Sequence, residues 1–249
     1  MLQIIPTTSN EKSTDTIKYI NNDKKLNSIA KKYNYAIENY VLKSNENIIC
    51  FRHDDAYIKT PMNISEYKLE KHFEDKSIGV AGLIGTIALD RTCTWWTGVL
   101  AAGGRNTYGE GAIIQGGFRQ KVVNNVPQFA ENGQPIIEPY EYWMQDHPGI
   151  HKHLATIDGC CMFFPKRVFE EGLRFDESLA DYHFYDTDIS LQLLERGYKV
   201  TTIDIAVMHR SEGKPPENFE ELKKTFFKKW DKKVHGEWPI SRLSTFYKD

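Results

Sequence analysis

Two acidic clusters, far apart in the chain, hold the residue types for chemistry. One is Asp186 and Asp188 in Tyr185-Asp-Thr-Asp188, with Tyr182 and Phe184 close by. The other is His53-Asp54-Asp55, which ends an apolar run. A strand-end carboxylate pair suits Mg²⁺ or Mn²⁺, because these hard cations take oxygen ligands and keep substrate phosphates as the rest. Such a cation would act as a Lewis acid on a diphosphate leaving group. A carboxylate beside aromatics can act as general base toward a hydroxyl. His209, in Met208-His-Arg-Ser-Glu-Gly213, offers an imidazole, a common ligand for an ion such as Mn²⁺. A cation site beside a general base suits transfer chemistry on a phosphorylated substrate. Plainer readings stand beside these: a solvated turn at 53–55, helix capping by one of Asp186 and Asp188, and an idle His209.

The elements that must position these residues follow from hydrophobic spacing. Leu2–Pro6, Ile17–Ile20, Asn47–Phe51 and Ile78–Leu83 read as buried strands, and Leu26–Leu42 has helical spacing through Leu26, Ile29, Ala30, Tyr33, Ile37 and Tyr40. A strand, a helix and a strand in that order predict a parallel α/β unit. Ligands in such sheets bind beyond the carboxyl ends of the strands, which is where residues 53–55 fall. Ser65–Glu74 reads as a helix, Ala155–Phe164 as a strand with a polar break at Asp158-Gly159, and 165–171 as a short helix opened by Pro165 and closed by Gly172. Asp188–Arg196 reads as a helix capped by Gly197, Tyr198–Ile205 as a strand, and Asn218–Val234 as a Lys-rich amphipathic helix. Residues 98–117 hold seven of the 17 glycines without a Walker pattern. They are expected to form a mobile loop or irregular hairpins, either a lid or acceptor platform or a plain surface loop. Trp95 and Trp96 are adjacent, so in a strand they would face opposite sides and one could offer a sugar platform. His147, His151 and His153 match no helical metal pair and read as loop residues.

Composition sets the outer bounds. The 249 residues suit one domain, and 40% hydrophobic with 27% charged residues is ordinary for a globular chain. A net charge of −2 provides no basic field, so nucleic acid is not an expected partner. No apolar run approaches the roughly 18–20 residues that span a bilayer, and the opening MLQIIPTTSNEK does not read as a signal peptide. Cys50, Cys93, Cys160 and Cys161 form neither a disulfide framework nor a zinc spacing. A reduced, cytoplasmic protein is expected. The basic C-terminal helix leaves peripheral membrane contact open, with a solvated helix face as the simpler expectation.

Taken together, the motifs resemble the inverting family 2 glycosyltransferases of the GT-A fold, in the branch with His-x-Asp in place of Asp-x-Asp. The matching stretches are Asn47–Ile58, Ile78–Gly85, Ile157–Val168, Phe175–Ser178, Phe184–Ser190 and His209, in the family's order. The resemblance implies an α/β, Rossmann-like three-layer sandwich with a mostly parallel central sheet, as one domain over 1–249 with 218–249 packed on it. It implies a nucleotide-sugar donor, a glycan or glycolipid acceptor, Mn²⁺ or Mg²⁺, and direct displacement at the anomeric carbon. On that mapping Asp186 is the base, Asp55 and His209 hold the metal, and His53 takes the first position of the metal motif. Pro6, Thr7, Asp23, Asn34, His53 and Asp54 fall on the donor side. Asp158, Gly159, Tyr185, Asp188 and Trp95 fall on the acceptor and sugar side. The chain departs from the family between its first two strands, where about eight polar residues replace the usual helix, and at His53, which stands for an acid.

Two other classes compete. A sugar nucleotidyltransferase would carry a glycine-rich basic loop after the first strand, and Thr7-Thr8-Ser9-Asn10 has no glycine. A binding protein of the same fold without turnover would have no need of both Asp55 and Asp186.

Overall fold

The computed structural model describes residues 1–8, 11–21, 25–87, 89, 109–147, 149–179, 183–211 and 217–234. Asp23 and Trp95 lie outside them. The central layer is a six-stranded sheet in the order β13 (Lys199–Thr202), β5 (Ile78–Gly82), β12 (Cys161–Pro165), β3 (Ile48–Arg52), β1 (Leu2–Thr7) and β2 (Ile17–Asn21). β1 pairs parallel with β2 and β3, and β13 pairs parallel with β5. β12 alone runs antiparallel, against β3 and β5. The expected α/β sandwich around a mostly parallel sheet is therefore present. β1 and β2 pair in parallel across residues 8–16, whose described members contain no helix.

Side chains of the central strands alternate between two cores, as the period of 2 requires. Ile49 and Phe51 of β3 and Met162 and Phe164 of β12 face one core. That core is closed by α1 (Ile29–Ala36), α3 (Arg167–Glu170), α4 (Tyr185–Glu195) and α5 (Phe219–Val234). Ile48, Cys50, Cys161 and Phe163 face the other core, against α2 (Met62–His72) and a second sheet. The second sheet runs β11 (Thr156–Ile157), β6 (Ile84–Thr86), β7 (Gly109–Gln120), β14 (Val207–His209) and β4 (Ala56–Ile58), with β10 (Ile137–His147) paired to β7, and β8 (Val122–Val123) and β9 (Val126–Pro127) form a separate two-stranded pair.

Tertiary contacts alter several of the expected elements. The single helix over Leu26–Leu42 is α1, capped by the Ser28 hydroxyl, followed by a π-helical turn at Ile37–Val41. The strand Ala155–Phe164 is cut at Asp158-Gly159 into β11 and β12, which lie in different sheets. The strand Tyr198–Ile205 is shortened to β13, and 203–206 carry the chain over to β14. Of the glycine-rich region 98–117, residues 98–108 lie outside the described residues, and 109–117 belong to β7, which pairs antiparallel with β10 as one arm of a hairpin rather than forming a loop. Its glycines serve close approach: a Cβ on Gly111 would collide with the Leu83 carbonyl, and one on Gly116 would come within 3.0 Å of the Arg210 side chain.

α5 is fastened to α4 by a buried carboxylate. Asp188 has no exposed surface. It accepts hydrogen bonds from Trp230 Nε1 at 2.8 Å and Gln192 Nε2 at 2.7 Å, and Lys229 Nζ lies 2.7 Å away while also reaching Asp176. Phe226 and Trp230 bury the apolar stripe of α5 in the first core. Trp230→Phe keeps most of that area but withdraws one donor from a buried charge, a loss of about 1–3 kcal/mol. Chemical denaturation of the variant is expected to show a midpoint lowered accordingly. An unchanged midpoint would mean that the indole N–H contributes nothing.

Candidate active site

Four short segments pass directly from one sheet to the other among the described residues: 53–55 between β3 and β4, Leu83 between β5 and β6, 158–160 between β11 and β12, and 203–206 between β13 and β14, while a fifth link, 59–77, returns from β4 to β5 through α2. The parallel strands end along this seam, and it gathers most of the chemistry-bearing residues. β14 pairs with β4, placing His209 opposite Ala56. This sets His209 beside the 53–55 turn although 154 positions separate His209 from Asp55 in the chain (209 − 55).

His53, Asp55 and His209 each offer a ligand atom, all within 4.8 Å of one another. Asp55 Oδ1 lies 3.4 Å from His209 Nε2 and 3.9 Å from His53 Nδ1. Asp55 Oδ1 and His209 Nε2 are both buried and neither makes a hydrogen bond. Two facing orphan atoms of this kind fit a divalent cation bound by carboxylate oxygen and imidazole nitrogen. Burial would push the Asp55 carboxyl up, but His209 and His53 hold it below the usual carboxylate range. Burial pulls His209 down, and the carboxylates of Asp55 and Asp158 outweigh it. Burial, helped by His209, takes His53 down to about 4 and keeps it neutral. The turn itself is braced by a residue that motif reading missed. Arg52 donates to the carbonyls of His53 (3.2 Å) and Ala56 (2.7 Å), and is held by Gln3 at 3.0 Å.

Tyr185 joins this cluster to the second acid. Its hydroxyl is 2.7 Å from His53 Nε2, and the next residue is Asp186. Asp186 accepts backbone N–H bonds from Gly159 at 3.0 Å and Thr187 at 2.8 Å. Burial and the nearby charge of Asp158 outweigh those bonds and raise its carboxyl to about 7. A carboxylate tuned to neutrality suits a general base. α4 starts at Tyr185 rather than at Asp188 because Phe184 is left-handed, with φ of 65°. Phe219 and Phe226 of α5 hold its ring, each at 5.2 Å. A bulky residue in this conformation is strained by about 1–3 kcal/mol, and here the strain turns the chain so that Asp186 meets Gly159.

The other expected site residues divide. Asp158 lies at the seam, where its Oδ1 accepts the Cys160 N–H at 2.9 Å. Asp54 is exposed at the same turn. Pro6 and Thr7 end β1 beside β3, at the same edge of the sheet. Asn34 is committed elsewhere, bonding the backbone of Phe175 on both sides and Glu177 Oε1, each at 2.9 Å. Asp188 faces α5 rather than the cluster. His151 exchanges bonds with Thr202 on the 149–155 connection. No helix among the described residues is long and apolar enough to cross a membrane.

Comparison with known proteins brings one clear match. The family described as "Glycosyltransferase like family" matches residues 10–230. No curated protein matches the chain. Among solved structures the chain is similar to one described as the crystal structure of GalNAc-T7 with UDP, GalNAc and Mn²⁺, with a TM-score of 0.43 and 12% identity. The similarity covers 93% of this chain and 43% of that one, so the chain spans less than half of that protein's length.

Gly159 is where the site is most sensitive to volume. A Cβ there would stand 2.5 Å from Tyr185 Cζ and 2.9 Å from Asp186 Cβ. Gly159→Ala must therefore displace both side chains, at a cost of about 1–3 kcal/mol. Thermal unfolding of the variant is expected to shift downward. An unshifted transition with the Tyr185–His53 bond intact would mean that the approach is not tight.

Proposed function

The chain belongs to the glycosyltransferase-like family, and from that premise we propose that it moves a sugar from a nucleotide-sugar donor to a hydroxyl of a glycan or glycolipid by inverting displacement, in one GT-A-like domain. The observation that carries this reading is the pair of devices joined through Tyr185: a buried carboxylate with a pKa of about 7 and the orphaned cation ligands Asp55 and His209. Asp55 and His209 would hold Mn²⁺ or Mg²⁺, with His53 beside them. When bound, the cation supplies charge neutralisation for a departing nucleoside diphosphate. Asp186 takes the proton of the acceptor hydroxyl as its oxygen attacks the anomeric carbon from the face opposite the leaving group. The two N–H bonds to Asp186 fix its direction, and Tyr185, Asp158 and Gly159 line the pocket for the reacting sugar. Pro6, Thr7 and Asp54 border the donor side, and Asp23 is assigned to the base or ribose. Asn34 acts indirectly, by tying α1 to 175–177. The three described cysteines are free thiols, which supports a reducing, cytoplasmic setting.

Thermal-shift binding of UDP, GDP, dTDP and CMP sugars, each with and without Mn²⁺, tests the donor class. A Mn²⁺-dependent shift with one nucleotide is expected, and none with any would remove the reading. Asp186→Asn should abolish transfer and leave donor binding intact, so normal turnover in that variant would remove Asp186 as base. Asp55→Ala should weaken Mn²⁺-dependent donor binding, as measured by calorimetry.

The pH dependence has a definite sign. A base works when ionised, so transfer should rise as pH climbs through about 7. Asp158→Asn withdraws a charge that raises the Asp186 pKa, and should move that limb to lower pH. Stability runs the other way. The folded pKa exceeds the ordinary 3.8, so the contribution of Asp186 is fully present below 3.8 and is lost as pH rises through about 7.

A further inference from the structure

A second set of ligands overlaps the first. Asp158, Cys160 and His209 also bring one ligand atom each within 4.8 Å of one another, so His209 belongs to both sets. Cys160 has no exposed surface. Its backbone carbonyl accepts the His53 N–H at 2.9 Å, and its own N–H goes to Asp158 Oδ1 at 2.9 Å. The residue is thus locked to the metal turn on one side and to a ligand carboxylate on the other. His209 is 8% exposed, and its Nε2 makes no well-formed hydrogen bond, facing Asp55 Oδ1 at 3.4 Å.

The two sets differ in chemistry. His53, Asp55 and His209 present nitrogen and oxygen, which suit Mn²⁺, whereas the second set adds sulfur. Thiolate ligands favour Zn²⁺ and other soft ions. Zn–S and Zn–N bonds of about 2.3 and 2.0–2.1 Å can be reached from atoms within 4.8 Å by small side-chain adjustments. We propose that Asp158, Cys160 and His209 form a site for a thiophilic divalent cation such as Zn²⁺, which competes with the working cation for His209. The metal–sulfur bond forms as the thiol releases its proton to solvent, with no change of oxidation state. An ion held there withdraws His209 from Asp55, so zinc acts as an antagonist of Mn²⁺. The competition rests on the metal-assisted reading above, while the sulfur site rests on its own geometry.

The test titrates the full chain with Co²⁺, a spectroscopic stand-in for Zn²⁺, and with Mn²⁺ in parallel by calorimetry. A thiolate-to-cobalt charge-transfer absorption is expected. It should be lost in Cys160→Ser and weakened in Asp158→Asn. It should survive in Cys161→Ser, whose sulfur instead faces Cys50 Sγ at 3.8 Å. Zn²⁺ added first should weaken Mn²⁺ binding, and Cys160→Ser should lessen that effect without abolishing it, because Zn²⁺ also binds nitrogen and oxygen ligands more tightly than Mn²⁺ does; an equal effect in the variant overturns the sharing of His209. Absence of the absorption in the parent, or its persistence in Cys160→Ser, overturns the sulfur site. Mn²⁺ binding indifferent to Zn²⁺ overturns the sharing of His209. If Cys160→Ser fails to fold, an undiminished absorption in Asp158→Asn overturns the proposal instead. A cobalt–thiolate signal in a parent that binds no Mn²⁺ would count against the metal-assisted function and leave the sulfur site standing.

Discussion

The site depends on how closely the backbone at Gly159 approaches α4. Only a residue without a side chain lets Tyr185 and Asp186 lie against it. That approach brings the Gly159 N–H to the Asp186 carboxylate and shuts out the water that would otherwise solvate it. The high pKa of Asp186 follows from the same exclusion, because burial, not a hydrogen bond, is its main cause. The contact also sends the Tyr185 hydroxyl to His53, so one backbone approach couples Asp186, the proposed base, to the His53–Asp55–His209 cluster.

Behind that contact stands the seam between two sheets. Each of its four crossings is a place where the chain leaves regular pairing. The side chains there are free to point at one another instead of into a core. This is why the proposed cation ligands come from 53–55 and from His209, elements that share no local structure. α5 acts on the seam from a distance. Its phenylalanines hold Phe184 in a left-handed conformation, and Asp188 anchors its last turns, so the direction of Asp186 is set partly by residues more than 30 positions later in the chain (219 − 186 = 33).

The crowding of acids, imidazoles and a thiol at one edge has an electrostatic logic. Burial, aided by His209, lowers the His53 pKa, while Asp55 and Asp158 raise that of His209 against the pull of burial. One histidine is thereby kept neutral next to another that pairs with carboxylates. The turn that carries His53 and Asp55 is held by Arg52 and by the backbone carbonyl of Cys160.

Much of this could be read in the residues. The apolar runs at 48–52 and 78–82 identify buried strands, because continuous burial on both faces leaves no other use for them. The acidic turn after the first of these predicts a ligand edge, and Asp186 beside aromatics predicts a base. What the sequence could not determine were the pairings. The glycines at 111 and 116 look like loop residues until β6 and Arg210 are seen against them. Asp188 looks like a partner of Asp186 until Trp230 and Lys229 close over it, and Asn34 looks available until Phe175 takes both ends of its amide. Arg52 and Cys160 lie inside motif stretches without a role of their own there, and their roles arise from what lies across the fold. Local patterning determines which elements form and where they end, because it follows from propensity and burial period. Which side chains meet at the seam is decided by long-range packing, since each meeting depends on two segments whose spacing along the chain says nothing of their distance in space.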